Sequence, residues 1–161
     1  MTSVSGNGGV IASTQNQGLN GNVVVLPTNI NALTTAITLP SNCNGTIFSV
    51  PTQLANATIN LPAPSSAAGF NCKFMVRATT APAPDLTPLA FSVTITAGAA
   101  ARMAVFLQNN TTLTLGAAGL YTSVNFSATA IPGDSIELTC DGNKWYAVGR
   151  SSVAAGVAGT A

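Results

Sequence analysis

Acidic side chains are the first candidates for chemistry, because the chain of 161 residues contains no histidine. Histidine is the commonest general base and neutral metal ligand, so its absence excludes Ser–His and Cys–His catalysis. Three of the four acidic residues lie close together: Asp134, Glu137 and Asp141. Carboxylate pairs can act as acid and base, and clustered carboxylates can bind calcium.

The sequence around these acids favours a structural role. Asp134 follows Pro-Gly and Asp141 precedes Gly, and in such turns Asp hydrogen-bonds its own backbone. Glu137 falls at an outward position of a predicted strand, and the three acids lack the dense spacing of a calcium loop. We therefore predict no catalytic residue, no metal site and no cofactor-binding residue, and we do not expect an enzyme.

Cysteine and tyrosine are the remaining candidates. Cys43, Cys72 and Cys140 cannot all pair within one chain, and their spacing matches no zinc pattern. Reduced, buried thiols are the favoured interpretation, with a disulfide as the alternative. Tyr121 and Tyr146 stay open, since an exposed tyrosine would favour receptor or sugar binding.

The elements that hold these residues are predicted to be strands. Apolar and polar residues alternate with period two in short runs separated by Pro, Gly and Asn. In the clearest run, Cys72, Phe74, Val76 and Ala78 share a core face, while Lys73, Met75 and Arg77 point outward. We predict about ten strands, within residues 23–26, 35–39, 46–50, 57–61, 72–78, 91–96, 111–115, 121–128, 135–140 and 144–149.

This strand count predicts an all-β fold, a single antiparallel β-sandwich of the jelly-roll type, with an immunoglobulin-like sandwich as the competitor. A short helix within residues 97–107 is the alternative to a loop that leads into a strand. The segment 35–40 resembles the segment 58–62 about 22 positions later. We interpret that likeness as chance recurrence of a Thr/Ile-rich strand rather than as an internal repeat.

The two ends differ from the body in composition. Residues 1–22 are rich in small and amide side chains without periodicity, and they are predicted to form an extended arm. Residues 151–161 contain only Ser, Val, Ala, Gly and Thr, and they are predicted to form a flexible C-terminal tail. The β-domain is predicted to span residues 23–150.

The charge content bears on partners. Charged residues make up only 6% of the chain, against about 25% in a typical soluble protein, and 47% of residues are hydrophobic. Such a surface is expected to be covered by other subunits. The net charge of +1 and the lack of a Lys/Arg cluster argue against nucleic-acid binding, and no apolar run is long enough to span a membrane as a helix.

From residue 56 to about residue 150 the chain resembles a module of phage tail fibres, head fibres and minor capsid or decoration proteins. The matching segments are residues 56–62, Gly69, residues 74–77, residues 93–95 and, most specifically, residues 133–149. The resemblance implies a final hairpin with a tight turn at Asp141-Gly142 and a packed Trp145. Asp-Gly between alternating strands is also a strong hairpin signal by itself.

The resemblance implies a virion structural protein, a minor capsid or decoration subunit. We expect a homo-oligomer, with a trimer as first choice, that contacts the major capsid protein or other virion proteins. The start of the chain lacks the pattern of a secretory signal, so we expect synthesis in the host cytoplasm and location in the virion. The alternative is a receptor-binding fibre knob or adhesin with the same fold.

Overall fold

The computed structural model describes residues 23–25, 37–40, 43–52, 55–78, 88–97, 103–115 and 121–161. These residues form twelve strands and one short 3-10 helix, Pro64–Ser66. The strands are β1 Val23–Val25, β2 Ile37–Thr38, β3 Thr46–Val50, β4 Ala57–Asn60, β5 Asn71–Val76, β6 Val93–Thr96, β7 Met103–Asn109, β8 Thr112–Leu115, β9 Ser123–Phe126, β10 Ser135–Cys140, β11 Trp145–Ser151 and β12 Val157–Thr160. The all-β prediction is confirmed.

The strands lie in two sheets. The large sheet has seven strands in the order β1-β3-β5-β10-β11-β7-β8, and the small sheet has five in the order β12-β9-β6-β4-β2. Both sheets are mixed, because β1–β3, β3–β5 and β7–β11 in the large sheet and β2–β4 and β4–β6 in the small one are parallel. The prediction of purely antiparallel pairing is therefore wrong.

The parallel pairs follow from the path of the chain. From β1 to β6, each strand lies in the other sheet from the strand before it. Every second strand then runs in the same direction and pairs with the strand two places earlier. The chain stays in one sheet in the β7–β8 and β10–β11 hairpins, which are antiparallel. The non-consecutive pairs β5–β10, β6–β9 and β9–β12 are also antiparallel.

The similar segments 35–40 and 58–62 include residues of neighbouring parallel strands. Ile37 lies opposite Ile59 and Thr38 opposite Asn60 on parallel strands, an offset of 22 residues. The Leu39 N–H continues the pairing by donating to Asn60 O at 2.9 Å. Ile59 in turn lies opposite Ile95, so three buried isoleucines form a row across the small sheet. Equivalent positions of the described residues therefore occupy successive turns of the winding. The interpretation as chance recurrence stays a prediction.

Both sheets contribute to one buried cluster. Phe48 and Phe74 lie opposite each other on β3 and β5, and their rings stack with centroids 4.8 Å apart. The layers approach each other closely at Gly149, where a Cβ would lie 3.2 Å from Val157 Cγ2 of the small sheet and 2.8 Å from Leu107 Cδ2 of the large sheet. A larger residue at position 149 would push β12 of the small sheet away from β11 and β7.

The hairpin predicted near the C-terminus is present. β10 pairs with β11 in antiparallel register, and Gly142 in the connecting turn has a φ of +94°. Trp145 is fully buried and packs edge to face against Phe70, with centroids 5.5 Å apart. Its indole N–H donates to Pro62 O at 3.3 Å. The packed tryptophan is confirmed.

Residues 151–161 do not form the predicted tail. Ser151 ends β11, and β12 pairs with β9 along the edge of the small sheet. Val157 is buried in the shared cluster, and a Cβ at Gly159 would lie 2.6 Å from the ring of Tyr121. Small side chains do not prevent strand pairing, because the backbone supplies the hydrogen bonds. The composition argument therefore failed at this end.

Other predictions have mixed outcomes. Of the stretch 97–107, residues 103–107 belong to β7, which begins at Met103, so a helix does not extend through them, and residues 98–102 lie outside the described residues. All three cysteines are buried and free, as favoured. The predicted arm, residues 1–22, lies outside the described residues. Among the described residues, no helix is long and apolar enough to cross a membrane.

Candidate interaction surface

The side of the large sheet that points away from the shared cluster carries most of the exposed apolar side chains. We call this side the outer face. Side chains alternate along β5, β7 and β11, so that every second residue belongs to the outer face. Of the five large hydrophobic residues with high exposure in the described part of the chain, four lie there: Met75, Phe106, Leu113 and Tyr146.

The apolar part of the outer face is on the β11-β7-β8 side. Phe106 lies opposite Val148 on β11, and Leu113 lies opposite Gln108 on β7. Phe106 is 39% exposed and Leu113 is 55% exposed. Burying these side chains against another surface would be favourable, at roughly 25 cal/mol per Å² of apolar area removed from water.

The corresponding side of the small sheet is polar. Thr58, Thr94 and Asn125 lie opposite one another on β4, β6 and β9, and all three are half-buried. Asn60 continues this pattern at the end of β4. The two outward sides therefore differ in chemistry, and only the large sheet presents large apolar groups to a partner within the described strands.

One ion pair lies in the middle of the outer face. Lys73 Nζ on β5 is 3.0 Å from Glu137 Oε1 on β10, the central strand of the seven. Both side chains are more than a third exposed, so the pair is screened and contributes about 0–1 kcal/mol.

The outward positions of Lys73 and Met75 match the sequence prediction, as do the buried positions of Cys72, Phe74 and Val76. Ala78, predicted on the core face, is exposed.

Tyr146 is fixed to the adjacent turn. Its hydroxyl donates to Asp141 Oδ2 at 2.8 Å, while Asp141 Oδ1 accepts from the backbone N–H groups of Asn143 and Lys144. The Lys144 and Asn143 N–H groups and then the tyrosine hydroxyl lower the pKa of Asp141. The bond to Asp141 raises the pKa of Tyr146. Its ring is 41% exposed, so Tyr146 is the one tyrosine placed for a ligand.

The three acids do not form a site together. Glu137 pairs with Lys73, Asp141 caps the hairpin turn, and Asp134 is only 2% exposed. Asp134 accepts four hydrogen bonds, from the Ile131 N–H, the Ser151 hydroxyl, and the Ser152 N–H and hydroxyl. These bonds hold the chain after β11 against the loop before β10. No group of three potential metal ligands occurs among the described residues.

Tyr121 and the cysteines are less accessible to partners. Tyr121 is half-buried over Gly159 and packs against the core. Burial raises the pKa of Cys43, of Cys72 and of Cys140, so these thiols stay protonated near neutral pH. Because the thiolate is the reactive form, the cysteines are poor nucleophiles in the folded protein.

Sequence reasoning missed the role of the asparagines. The Asn44 side chain accepts from Asn71 N at 2.8 Å, and the Asn56 side chain accepts from Ser92 N at 3.1 Å, each near the start of a parallel strand pair. Asn109 accepts from Val157 N at 2.9 Å and donates to Val157 O at 2.8 Å. An amide carries both a donor and an acceptor and can replace a neighbouring strand's peptide. The sequence shows only that asparagine is abundant.

Comparison with known proteins adds no family. No protein-family model matches the chain, and no curated protein matches it.

Proposed function

We propose that this protein is a structural subunit of a virus particle, a minor capsid or decoration protein that acts through homo-oligomerisation and through contacts with other virion proteins. The observation that carries the proposal is the outer face of the large sheet, with Phe106, Leu113 and Tyr146 exposed on a chain of which only 6% is charged. Large apolar side chains exposed on a chain with so few charges favour burial of that surface against another subunit.

Two further observations support a binding role rather than a chemical one. Each acid in the described part of the β10–β11 region has a structural partner, and the thiols are buried. The two sheets share one core. We also propose that the two sheets pack face to face as a sandwich, as in a jelly roll. The sandwich differs from a jelly roll in that some of its strand pairs are parallel.

The oligomer is tested by size-exclusion chromatography with light scattering. We expect a trimer, because a closed ring covers one apolar surface on every copy. Phe106→Lys should weaken this assembly, while Thr94→Lys, on the polar side of the small sheet, should leave it unchanged. A monodisperse monomer at tens of micromolar would contradict the proposal.

The virion assignment has its own test. Electron microscopy of purified particles with gold-labelled antibody against this chain should place the label on the capsid surface. Label confined to the tip of an appendage would favour the second candidate function, a receptor-binding knob.

The exposed Tyr146 is the observation that favours that second candidate. Its ring is held by the bond to Asp141, and a fixed aromatic ring loses little entropy on binding. Binding of the protein to host cells that Tyr146→Ala abolishes and Tyr146→Phe retains would support a receptor-binding knob. Equal binding by both variants would argue against it.

A further inference from the structure

The edge strands of the two sheets differ in whether a side chain blocks their outward peptide groups. The large sheet ends in β1 and β8, and the small sheet ends in β12 and β2. An edge strand presents unpaired peptide groups that can accept another strand. On β12, the amide of Asn109 occupies both the N–H and the C=O of Val157. A neighbouring chain cannot pair at that position.

Among the described residues, none protects the β8 edge in this way. Its sequence, Thr-Leu-Thr-Leu, contains no charge, proline or glycine, and Thr112, Leu113 and Thr114 are all exposed. Natural edge strands are protected by lysine, proline, bulges or covering segments. The alternation of Thr and Leu also has high strand propensity. This edge is therefore suited to pairing.

We propose that β8 pairs in antiparallel register with β8 of a second copy across a two-fold axis, so that two large sheets continue as one. This inference rests on the proposed function as an oligomeric subunit. Because a two-fold contact cannot lie within a trimer, it predicts either a dimer or two trimers joined as six chains. A two-fold axis at residue 113 or 114 places Leu113 opposite Leu113 or Leu115 of the other copy. Both registers keep Leu113 on the outer face, as the period of two requires.

Charge favours a second copy as the occupant. No charged residue occurs from position 103 to position 115, so β7 and β8 of two copies do not repel each other. Across the large sheet, Leu113 on β8 lies opposite Gln108 on β7, and Gln108 lies opposite Arg150 on β11. Arg150 is the nearest charged residue in this row of opposite residues. The two copies of Arg150 would be five strand spacings apart, about 24 Å, which exceeds the Debye length of about 8 Å.

The main-chain part of the contact can be tested at Leu113. The residues flanking a two-residue loop exchange hydrogen bonds, and bonded pairs then alternate along the hairpin. Since Asn109 and Thr112 flank the loop of the β7–β8 hairpin, the Leu113 N–H points away from β7. Leu113→Pro removes that donor and should halve the mass measured by light scattering. Leu113→Ala keeps the donor and should retain the wild-type mass at high protein concentration.

A second variant covers the case in which the proline variant misfolds. Leu113→Lys places like charges close to each other across the axis, so its assembly should weaken at low salt and recover at high salt. Thr94→Lys on the small sheet should show no such response.

Cross-linking gives a positive readout. The two-fold axis passes residue 113 in one register and residue 114 in the other. Leu113→Cys or Thr114→Cys, respectively, then faces its own copy across the axis, at a Cα–Cα distance that allows a disulfide between copies. Mild oxidation should give a covalent dimer with one of these variants and none with Asn71→Cys, which is exposed on β5.

The outcomes separate the two proposals. Pairing through β8 joins copies in twos, so a wild-type mass of two or six chains agrees with it. A wild-type trimer would overturn the β8 contact, since a three-fold ring contains no two-fold axis, and it would leave the proposed function intact. A wild-type dimer or hexamer whose mass is unchanged by Leu113→Pro and Leu113→Lys would also overturn the β8 contact. A wild-type monomer would overturn both.

Discussion

At the scale of single residues, polar side chains in this protein complete the backbone pairing. Asn44 and Asn56 accept from strand neighbours, Asn109 pairs with Val157, and Asp134 holds Ser151 and Ser152. The sequence predicted the turn role of Asp141 because Asp-Gly has a local geometry. It could not predict the role of Asn109, because the partner lies 48 residues away and any of many asparagines could have filled it.

Trp145 and Tyr146 are neighbours on β11 and should respond differently to truncation. Trp145 is fully buried, so Trp145→Ala should lower the free energy of unfolding by about 3–5 kcal/mol. Tyr146 points outward, and Tyr146→Ala should cost about 1 kcal/mol or less. Chemical denaturation of both variants measures these changes. Equal losses would mean that the strand does not alternate as described.

The pair of Tyr146 and Asp141 should make the hairpin sensitive to pH. The pKa of Asp141 is lower in the folded protein, so its contribution to stability is present above the ordinary pKa of 3.8 and is lost as the pH falls through the folded value. The pKa of Tyr146 is raised above 10.0, so the contribution of this hydroxyl is lost as the pH rises through its folded value. Ultraviolet titration of tyrosinate should show this raised pKa, and Asp141→Asn should lower it towards 10.0. Identical titrations would contradict the bond.

At the scale of elements, the positions of most strands were predictable and their partners were not. The alternation that identifies β4 as a half-buried strand is the same in parallel and antiparallel pairs, so it could not predict the parallel pairing with β2 and β6. The likeness of residues 35–40 to residues 58–62 matches the 22-residue offset of the β2–β4 pair. One recurrence of a Thr/Ile-rich run is weak evidence without the register.

β12 should be needed for stability, although its composition predicted a tail. Deleting residues 157–161 removes the pairing with β9, uncovers Tyr121, and leaves the amide of Asn109 without its partner. The expected loss is about 3 kcal/mol or more, since a buried amide and a core valine are both affected. Thermal unfolding followed by circular dichroism measures it, with deletion of the exposed Ala161 alone as the control. Equal melting temperatures would restore the tail interpretation.

At the scale of the whole molecule, the composition predicts that much of the surface is covered by partners. The structure adds that the outward sides of the two sheets differ in how many large apolar side chains they expose. Low charge is a property of the entire chain and cannot distinguish one side from another. The difference between the outer face and the threonine-rich side of the small sheet depends on which strands share a sheet. The predicted arm, residues 1–22, stays a prediction.

The thiols report on the integrity of the whole fold. Cys43, Cys72 and Cys140 are all buried in the shared core, and burial raises the pKa of each. A thiol reagent should therefore label no cysteine in the native protein near neutral pH and all three in denaturant. Rapid labelling of one native cysteine would show that its region opens, and failure to label three in denaturant would indicate a disulfide.

The position of β10 has a consequence for the kinetics of folding. β10 lies between β5 and β11, which are not otherwise neighbours, so the large sheet stays in two separate parts until this strand is in place. A chain emerging from the ribosome makes β5 long before β10, and the edge of β5 is open to wrong partners during that interval. The β10–β11 hairpin can form locally around its tight turn and then insert as a unit. Productive folding therefore waits for a late hairpin, and nascent chains that stall before it are the ones most exposed to aggregation.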